Sequence, residues 1–429
     1  MSALSKVDPV KQRRERAFGL PGFRLLWLAT VFSQFGIAIS TGALAMVVVI
    51  ELELPDAHVP LLLALAGLAA AVFALPLGPF TEKRRKRPLL VRADLFRAVL
   101  LISVPLLAWT GLLSFAYLAT AMALLTLASI VSGAANGAHL RDLLPPRHWG
   151  EGNGRLESIT WIMTAVFTPV GGLLVTVYSP GAVLVINAAM YLISALLIRR
   201  IREPEPAPEP SPAGTEGRIA AILEGWAYIH RKPQLRSLFW NAMLFGGCIT
   251  LTAPLLAVFM LRELHLDPWA YTLVLGLPAA AGFLGASLCT RISRRFGDGA
   301  TLLVAGSLRS VWLVLLPLSQ PGYLGLAWIL ACQSALMFAA GVFNPVFATY
   351  RMRLVDRGCL SRVGASWPIT AKLVQPLVLG LGSLAVGLFG VRVTLVLAGI
   401  LMLACIPLLP WSTVSRRVSP AAALGVEPR

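Results

Sequence analysis

The sequence predicts an all-α polytopic membrane protein with twelve transmembrane helices in two six-helix halves and both termini in the cytoplasm. Three observations carry this. Residues are 57% hydrophobic and 13% charged, against about 45–50% and about 25% in soluble globular chains. Apolar runs of about eighteen residues or more, enough to cross a hydrocarbon core, recur from end to end. Lipid offers the backbone no hydrogen bonds, so such runs must be helices. Finally, of the 37 Lys and Arg, all but Arg97, Arg309, Lys372, Arg262 and Arg392 fall in alternate loops or the termini. That is the distribution of a chain whose cations stay on one side.

Taken in order, residues 1–22 form a basic cytoplasmic arm. Spans are predicted at 24–50, 59–80, 89–113, 115–139, 155–178 and 180–199, within an N-terminal half at 23–200. A linker at 201–235 begins with Glu203-Pro-Glu-Pro-Ala-Pro-Glu-Pro-Ser-Pro212. Proline at every second position favours extended polyproline II, a semi-rigid tether. From Glu216 to Lys232, Ile219, Ile222, Leu223, Trp226 and Ile229 recur at helical spacing, which predicts an amphipathic helix on the inner membrane surface. The second half, 236–413, holds spans at 237–262, 268–290, 299–318, 321–349, 364–389 and 391–413. Residues 414–429 form a cytoplasmic tail.

The halves echo one another. Arg24-Leu-Leu-Trp27 opens span one, and Arg236-Ser-Leu-Phe-Trp240 opens span seven. Leu89-Leu-Val before Arg97 matches Leu302-Leu-Val before Arg309. Pro169 with Gly171 and Gly172 in span five matches Pro376 with Gly380 and Gly382 in span eleven. A duplicated membrane chain of this kind places its binding site near the midplane, at the repeat interface.

Between spans two and three the chain runs Gly78-Pro-Phe-Thr-Glu-Lys-Arg-Arg-Lys-Arg87. This resembles the Gly-x-x-x-Asp-(Arg/Lys)-x-Gly-(Arg/Lys)-(Arg/Lys) loop of the major facilitator superfamily, carried here by Gly78, Glu82, Lys83, Lys86 and Arg87. Glu82 stands for Asp, and Arg85 for the second Gly, so the turn is expected to differ. Within that superfamily the chain resembles the bacterial branch of enterobactin-type siderophore exporters and macrolide-efflux proteins. The residues that carry the likeness are Phe23-Arg-Leu-Leu-Trp-Leu with Ser33-Gln-Phe-Gly36, Ala93-Asp-Leu-Phe-Arg-Ala98, Arg141-Asp-Leu-Leu-Pro145, Val185-Ile-Asn-Ala-Ala-Met-Tyr191 and Glu224-Gly-Trp-Ala-Tyr-Ile-His-Arg-Lys-Pro233. Members often carry Asp after the Gly of Ser-Gln-x-Gly, where this chain has Ile37. Thr168 before Pro169 and the tight glycine pair also depart from the span-five antiporter signature.

Ionisable groups inside a span cost about 2.5–3.5 kcal/mol on insertion scales and so require a reason. Asp94 and Arg97, three residues apart, share a helical face. They read either as a structural ion pair or as a gate and proton site. Asp94 is the deepest carboxylate and the leading coupling candidate; Glu157, at the start of span five, is the second. Lys372 and Gln375 share a face deep in span eleven, and Arg309 corresponds to Arg97. Gln34, Thr41, Trp161, Asn187, Asn241, Gln333 and Asn344 either line a pathway or make interhelical hydrogen bonds. This set holds more cations than acids, favouring a neutral or anionic substrate.

Several classes are disfavoured. Basic residues are not interleaved with aromatics on a polar scaffold, against nucleic-acid binding. Cys248, Cys289, Cys332, Cys359 and Cys405 contain no Cys-x-x-Cys pair. His58, His139, His148, His230 and His265 show no metal-ligand spacing, so no metal site is expected. No enzyme constellation is visible, and no cofactor is expected beyond a proton gradient. The family resemblance implies a monomeric multi-pass exporter of the bacterial inner membrane. It would move a siderophore, antibiotic or other secondary metabolite by proton antiport. An importer of the same fold is the alternative, followed by a non-transporting sensor or scaffold.

Overall fold

The computed structural model describes residues 17–82, 84–145, 148–205, 215–356 and 359–411. All regular elements among them are helical. In order they are α1 (Pro21–Ile39), α2 (His58–Glu82), α3 (Lys86–Trp109), α4 (Phe115–Leu143), α5 (Trp149–Val177) and α6 (Pro180–Arg199). Then follow α7 (Thr215–Arg231), α8 (Pro233–Val258), α9 (Pro268–Gly276), α10 (Pro278–Phe296), α11 (Asp298–Val311), α12 (Tyr323–Leu354) and α13 (Leu360–Leu403).

Nine stretches among the described residues are long and apolar enough to cross a membrane. This count of the described residues differs from the twelve predicted spans at α3, α2 and α13. Helix α3 carries Arg92, Asp94 and Arg97 in its apolar run, which lowers its mean hydropathy. In α2 the described apolar side chains cover His58–Phe73. Helix α13 contains two spans in one: Gly390 has φ 79° and ψ 170°, outside helical space, and breaks it. Span one is likewise interrupted after Ile39 by Gly42 at φ 85°, then resumes through Ala43–Met46 and a π-turn at Val47–Glu51.

The chain forms two compact units. Unit 1 comprises residues 1–55, 65–215 and 267–276; unit 2 comprises 56–64, 216–266 and 277–429. Unit 2 takes the first turns of α2, and unit 1 takes α9.

In unit 1, α1 packs on α5 and α6, α3 on α4 and α6, and α9 on α5. The α5 contacts depend on missing side chains. A methyl group on Gly171 would overlap the Ile39 carbonyl of α1, and one on Gly172 would overlap the Thr272 hydroxyl of α9. Apolar surface gives helices little drive to associate within lipid, so close backbone approach through small residues must supply it. The glycine pair after Pro169 is thus what lets α5 touch two neighbours. Phe23, Leu26, Leu90, Ala135, Leu140 and Ile198 close the core at the end bearing the 84–87 turn.

In unit 2, α10 packs on α12, α8 on α13, and α11 on α12. The two cations that break the loop-charge pattern each have an acid. Arg262 lies 2.5 Å from Asp56, and Arg392 lies 3.1 Å from Glu263. The amphipathic helix appears as α7, with Ile229 buried and Leu223 and Trp226 exposed. Its end is fixed to the turn after α12: the Tyr228 hydroxyl donates to Asp356 at 2.8 Å, and Lys232 Nζ lies 3.1 Å away. These two partners hold the Asp356 carboxyl below its ordinary range.

The close approach at Gly171 is directly testable. Gly171→Val should cost about 1–3 kcal/mol through overpacking, read as a lower melting temperature in detergent. Gly133→Ala, with nothing within 4 Å of the added methyl, should melt like the parent.

Candidate functional site

Helix α3 enters unit 1 with Ala93-Asp-Leu-Phe-Arg97 just inside its basic first turns. Asp94 and Arg97 point inward, 3% and 5% exposed. One Arg97 Nη donates to Asp94 Oδ1 at 2.5 Å and to Ser132 Oγ of α4 at 2.6 Å. The other donates to the Tyr191 hydroxyl of α6 at 3.2 Å. The guanidinium also lies 4.3 Å from the Tyr191 ring centroid. Ser194 of α6 donates to Asp94 Oδ2 at 2.7 Å. Three helices therefore meet on one ion pair, and both carboxylate oxygens are engaged.

This network borders a cavity of about 210 Å³ lined by Thr30, Ser33, Gln34, Ile37, Asp94, Arg97, Ser129, Ser132, Asn136 and Ser194 among others. Asp94 is the only carboxylate among the lining residues. Ile37 faces the same cavity. Gln34 lines it too. Ser129, Ser132 and Asn136 of α4 and Ser194 of α6 were not anticipated; the regular recurrence of the first three along α4 was the available signal.

The remaining residues are dispersed. Asn187 is buried and donates to Ser40 at 2.7 Å, just past the end of α1. Thr41 donates to the Ile37 carbonyl at 2.9 Å. Trp161 is exposed. In unit 2, Arg309 is 3% exposed and enclosed. It donates to Asn241 at 2.6 Å and sits 3.8 and 3.6 Å from the ring centroids of Phe245 and Phe343. Asn241 in turn donates to the Cys405 carbonyl at 2.7 Å. Arg309 thus lies in a packed aromatic shell, where no described carboxylate pairs with it. Gln333 is buried with its carbonyl oxygen unpartnered. Lys372 and Asn344 are exposed and Gln375 is half-buried. The side chains of Glu82 and Glu157, and Lys83, lie outside the described residues.

The basic turn also differs from expectation. Arg85, in place of the second Gly, has φ −60° and ψ 132°. This is ordinary extended backbone open to any residue, so the substitution demands no altered turn. Lys86 Nζ donates to the Thr81 and Arg84 carbonyls at 2.7 and 2.8 Å, capping the end of α2 where the helix dipole favours a cation. Arg87 donates to the Ile201 carbonyl. The linker is more than a tether at its start. Glu203 accepts from the Gly22 amide at 2.6 Å, and Glu205 accepts from the amides of Lys86 and Arg87. Each carboxylate sits at a helix N-terminus, which attracts negative charge.

Duplicated helical units with an ion pair held beside a polar cavity, inside apolar helices, define a multi-pass membrane protein of transporter type. The Major Facilitator Superfamily profile matches residues 26–365, and the chain belongs to that superfamily. It is 22% identical over 378 residues to the uncharacterized MFS-type transporter YkuC of Bacillus subtilis (strain 168), covering 84% of this chain and 85% of that one. Among solved structures it resembles the nucleoside transporter NupG, with TM-score 0.71 and 14% identity over 90% of this chain and 98% of that one. It also resembles a bacterial homologue of the iron transporter ferroportin, with TM-score 0.68 and 15% identity over 90% of this chain and 98% of that one. These structural likenesses establish the fold alone.

Removing one member of the buried pair should cost about 3–5 kcal/mol, because the other is left charged and unmatched. Arg97→Gln should therefore melt well below the parent, with Asp94→Asn/Arg97→Gln recovering much of the loss. Equal melting of single and double variants would show that the two residues do not act as a unit.

Proposed function

We propose that this chain is a secondary active transporter that exports a small organic molecule, neutral or anionic, by proton antiport with alternating access. The observation that carries this reading is Asp94, the sole carboxylate lining the unit 1 cavity, paired to Arg97 and bonded to Ser194. An acid so placed can hold a proton only by giving up its ion pair. Protonation would leave the Arg97 guanidinium to Ser132 and Tyr191 alone. The α3, α4 and α6 contacts that share the pair would then favour a different arrangement.

One proton entering at Asp94 would thereby change which face of the pathway is open, and its release would reset the site. Twelve spans with both termini in the cytoplasm are the topology that the loop cations favour. The basic turn then lies on the cytoplasmic side, where Lys86 and Arg87 fasten α2, α3 and the linker together. The bacterial inner membrane is the compartment this reading requires. A siderophore, antibiotic or other secondary metabolite is the substrate class suggested by the sequence resemblance. The excess of buried cations over acids supports a neutral or anionic compound.

The test begins with a deletion strain screened for a compound retained in the cytoplasm. Everted membrane vesicles should accumulate that compound when their lumen is acidified, and a protonophore should stop uptake. Asp94→Asn should reduce uptake to background when normalised to the amount of folded transporter in the vesicles. Uptake indifferent to the protonophore would defeat proton coupling, and full uptake by Asp94→Asn would place the coupling site elsewhere.

A further inference from the structure

Outside that cavity, His139 near the end of α4 is an unexplained buried polar group. It is 2% exposed, and neither ring nitrogen has a hydrogen-bond partner. Leaving a buried polar atom unsatisfied costs about 1–3 kcal/mol, so a missing partner is implied. One turn on, Asp142 projects from the same face of α4 and makes no hydrogen bond or ion pair with the described residues. Glu205 of the linker arrives from the other side. The donor atoms of His139, Asp142 and Glu205 all lie within 4.8 Å of one another.

We propose that these three side chains form a binding site for a divalent first-row transition-metal ion, typified by Zn2+. One imidazole nitrogen and two carboxylate oxygens make a donor set that suits Zn2+, Mn2+ or Fe2+. Metal–nitrogen and metal–oxygen bonds of about 2.0–2.2 Å place tetrahedral ligands about 3.3–3.6 Å apart. Closure from the present spacing needs a shift of about an ångström. The exposed Asp142 and the linker-borne Glu205 can make that shift while the buried His139 stays fixed. Water completes the coordination.

Charge is compatible with a dication. Among the described residues, Glu203, Lys86 and Arg87 are the other charged groups in electrostatic reach. With neutral His139, the three acids outweigh the two bases. The Arg87 guanidinium is turned onto the Ile201 carbonyl, and Lys86 Nζ onto those of Thr81 and Arg84. Glu205 keeps its α3 amide bonds through Oε1, with only a long 3.4 Å contact on Oε2, which leaves that oxygen available as a ligand. A bound ion would consequently join the start of the linker to the ends of α4 and α3, stapling the segment that leads from unit 1 toward α7.

The experiment uses the full chain, purified in detergent, stripped with a chelator, and titrated with Zn2+ or Co2+. One equivalent of Zn2+ should remain after desalting, measured by elemental analysis. Co2+ should give visible d–d absorption without the near-ultraviolet thiolate bands that cysteine ligation produces. Asp142→Asn and Glu205→Gln, both at accessible positions, should each bind Zn2+ at least tenfold more weakly while eluting as the parent does in size exclusion. Metal-free parent protein, thiolate bands, or undiminished binding by the two folded variants would overturn the site.

Discussion

Burying a guanidinium and a carboxylate among apolar helices is permitted only when each satisfies the other, and unit 1 is built around that constraint at Asp94 and Arg97. Desolvating two ions costs several kcal/mol apiece, repaid only by close pairing and hydrogen bonds to the remaining donors and acceptors. Here Ser194 of α6 completes the acid, while Ser132 of α4 and Tyr191 of α6 complete the base. The relative positions of three helices thus depend on one charge state. A bistable element of that kind is what a transport cycle needs.

The duplicated position in unit 2 shows what happens without the acid. Arg309 occupies the place of Arg97, but its surroundings are Asn241 and the faces of Phe245 and Phe343. Ring quadrupoles and one amide oxygen stabilise the cation without offering a site for a proton. The repeat therefore keeps a cation in both units and gives a titratable partner to one. On the proposed function, this asymmetry would assign proton chemistry to unit 1 and leave unit 2 with a buried cation.

Much of this was legible in the sequence. Periodicity and charge placement identified the helices, and the i, i+3 spacing identified the Asp94–Arg97 pair. Glycines 171 and 172 were visible as a repeat mark, although their role in bringing α5 against α1 and α9 required the packing. The linker was only half legible. Alternating proline is a local signal of extended chain, whereas the capping by Glu203 and Glu205 depends on helix ends more than 100 residues away in sequence. For the same reason, histidine spacing alone could not reveal a His139–Asp142–Glu205 set whose third member comes from another segment. Asn187 and Arg309 illustrate the opposite case: polar residues in spans that make interhelical contacts with Ser40 and Asn241, which composition does not distinguish from a cavity wall.

The central claim is that Asp94 takes up and releases a proton within the folded transporter. Infrared difference spectroscopy on purified protein in lipid vesicles, stepped between neutral and acidic pH, reads this directly without a known substrate. The account predicts a protonated-carboxyl C=O band that grows on acidification, with the shift expected of a buried acid, and is missing from Asp94→Asn. An unchanged band in Asp94→Asn, or a parent spectrum without any such buried-acid band, would contradict it and leave the Asp94–Arg97 pair with a purely architectural role.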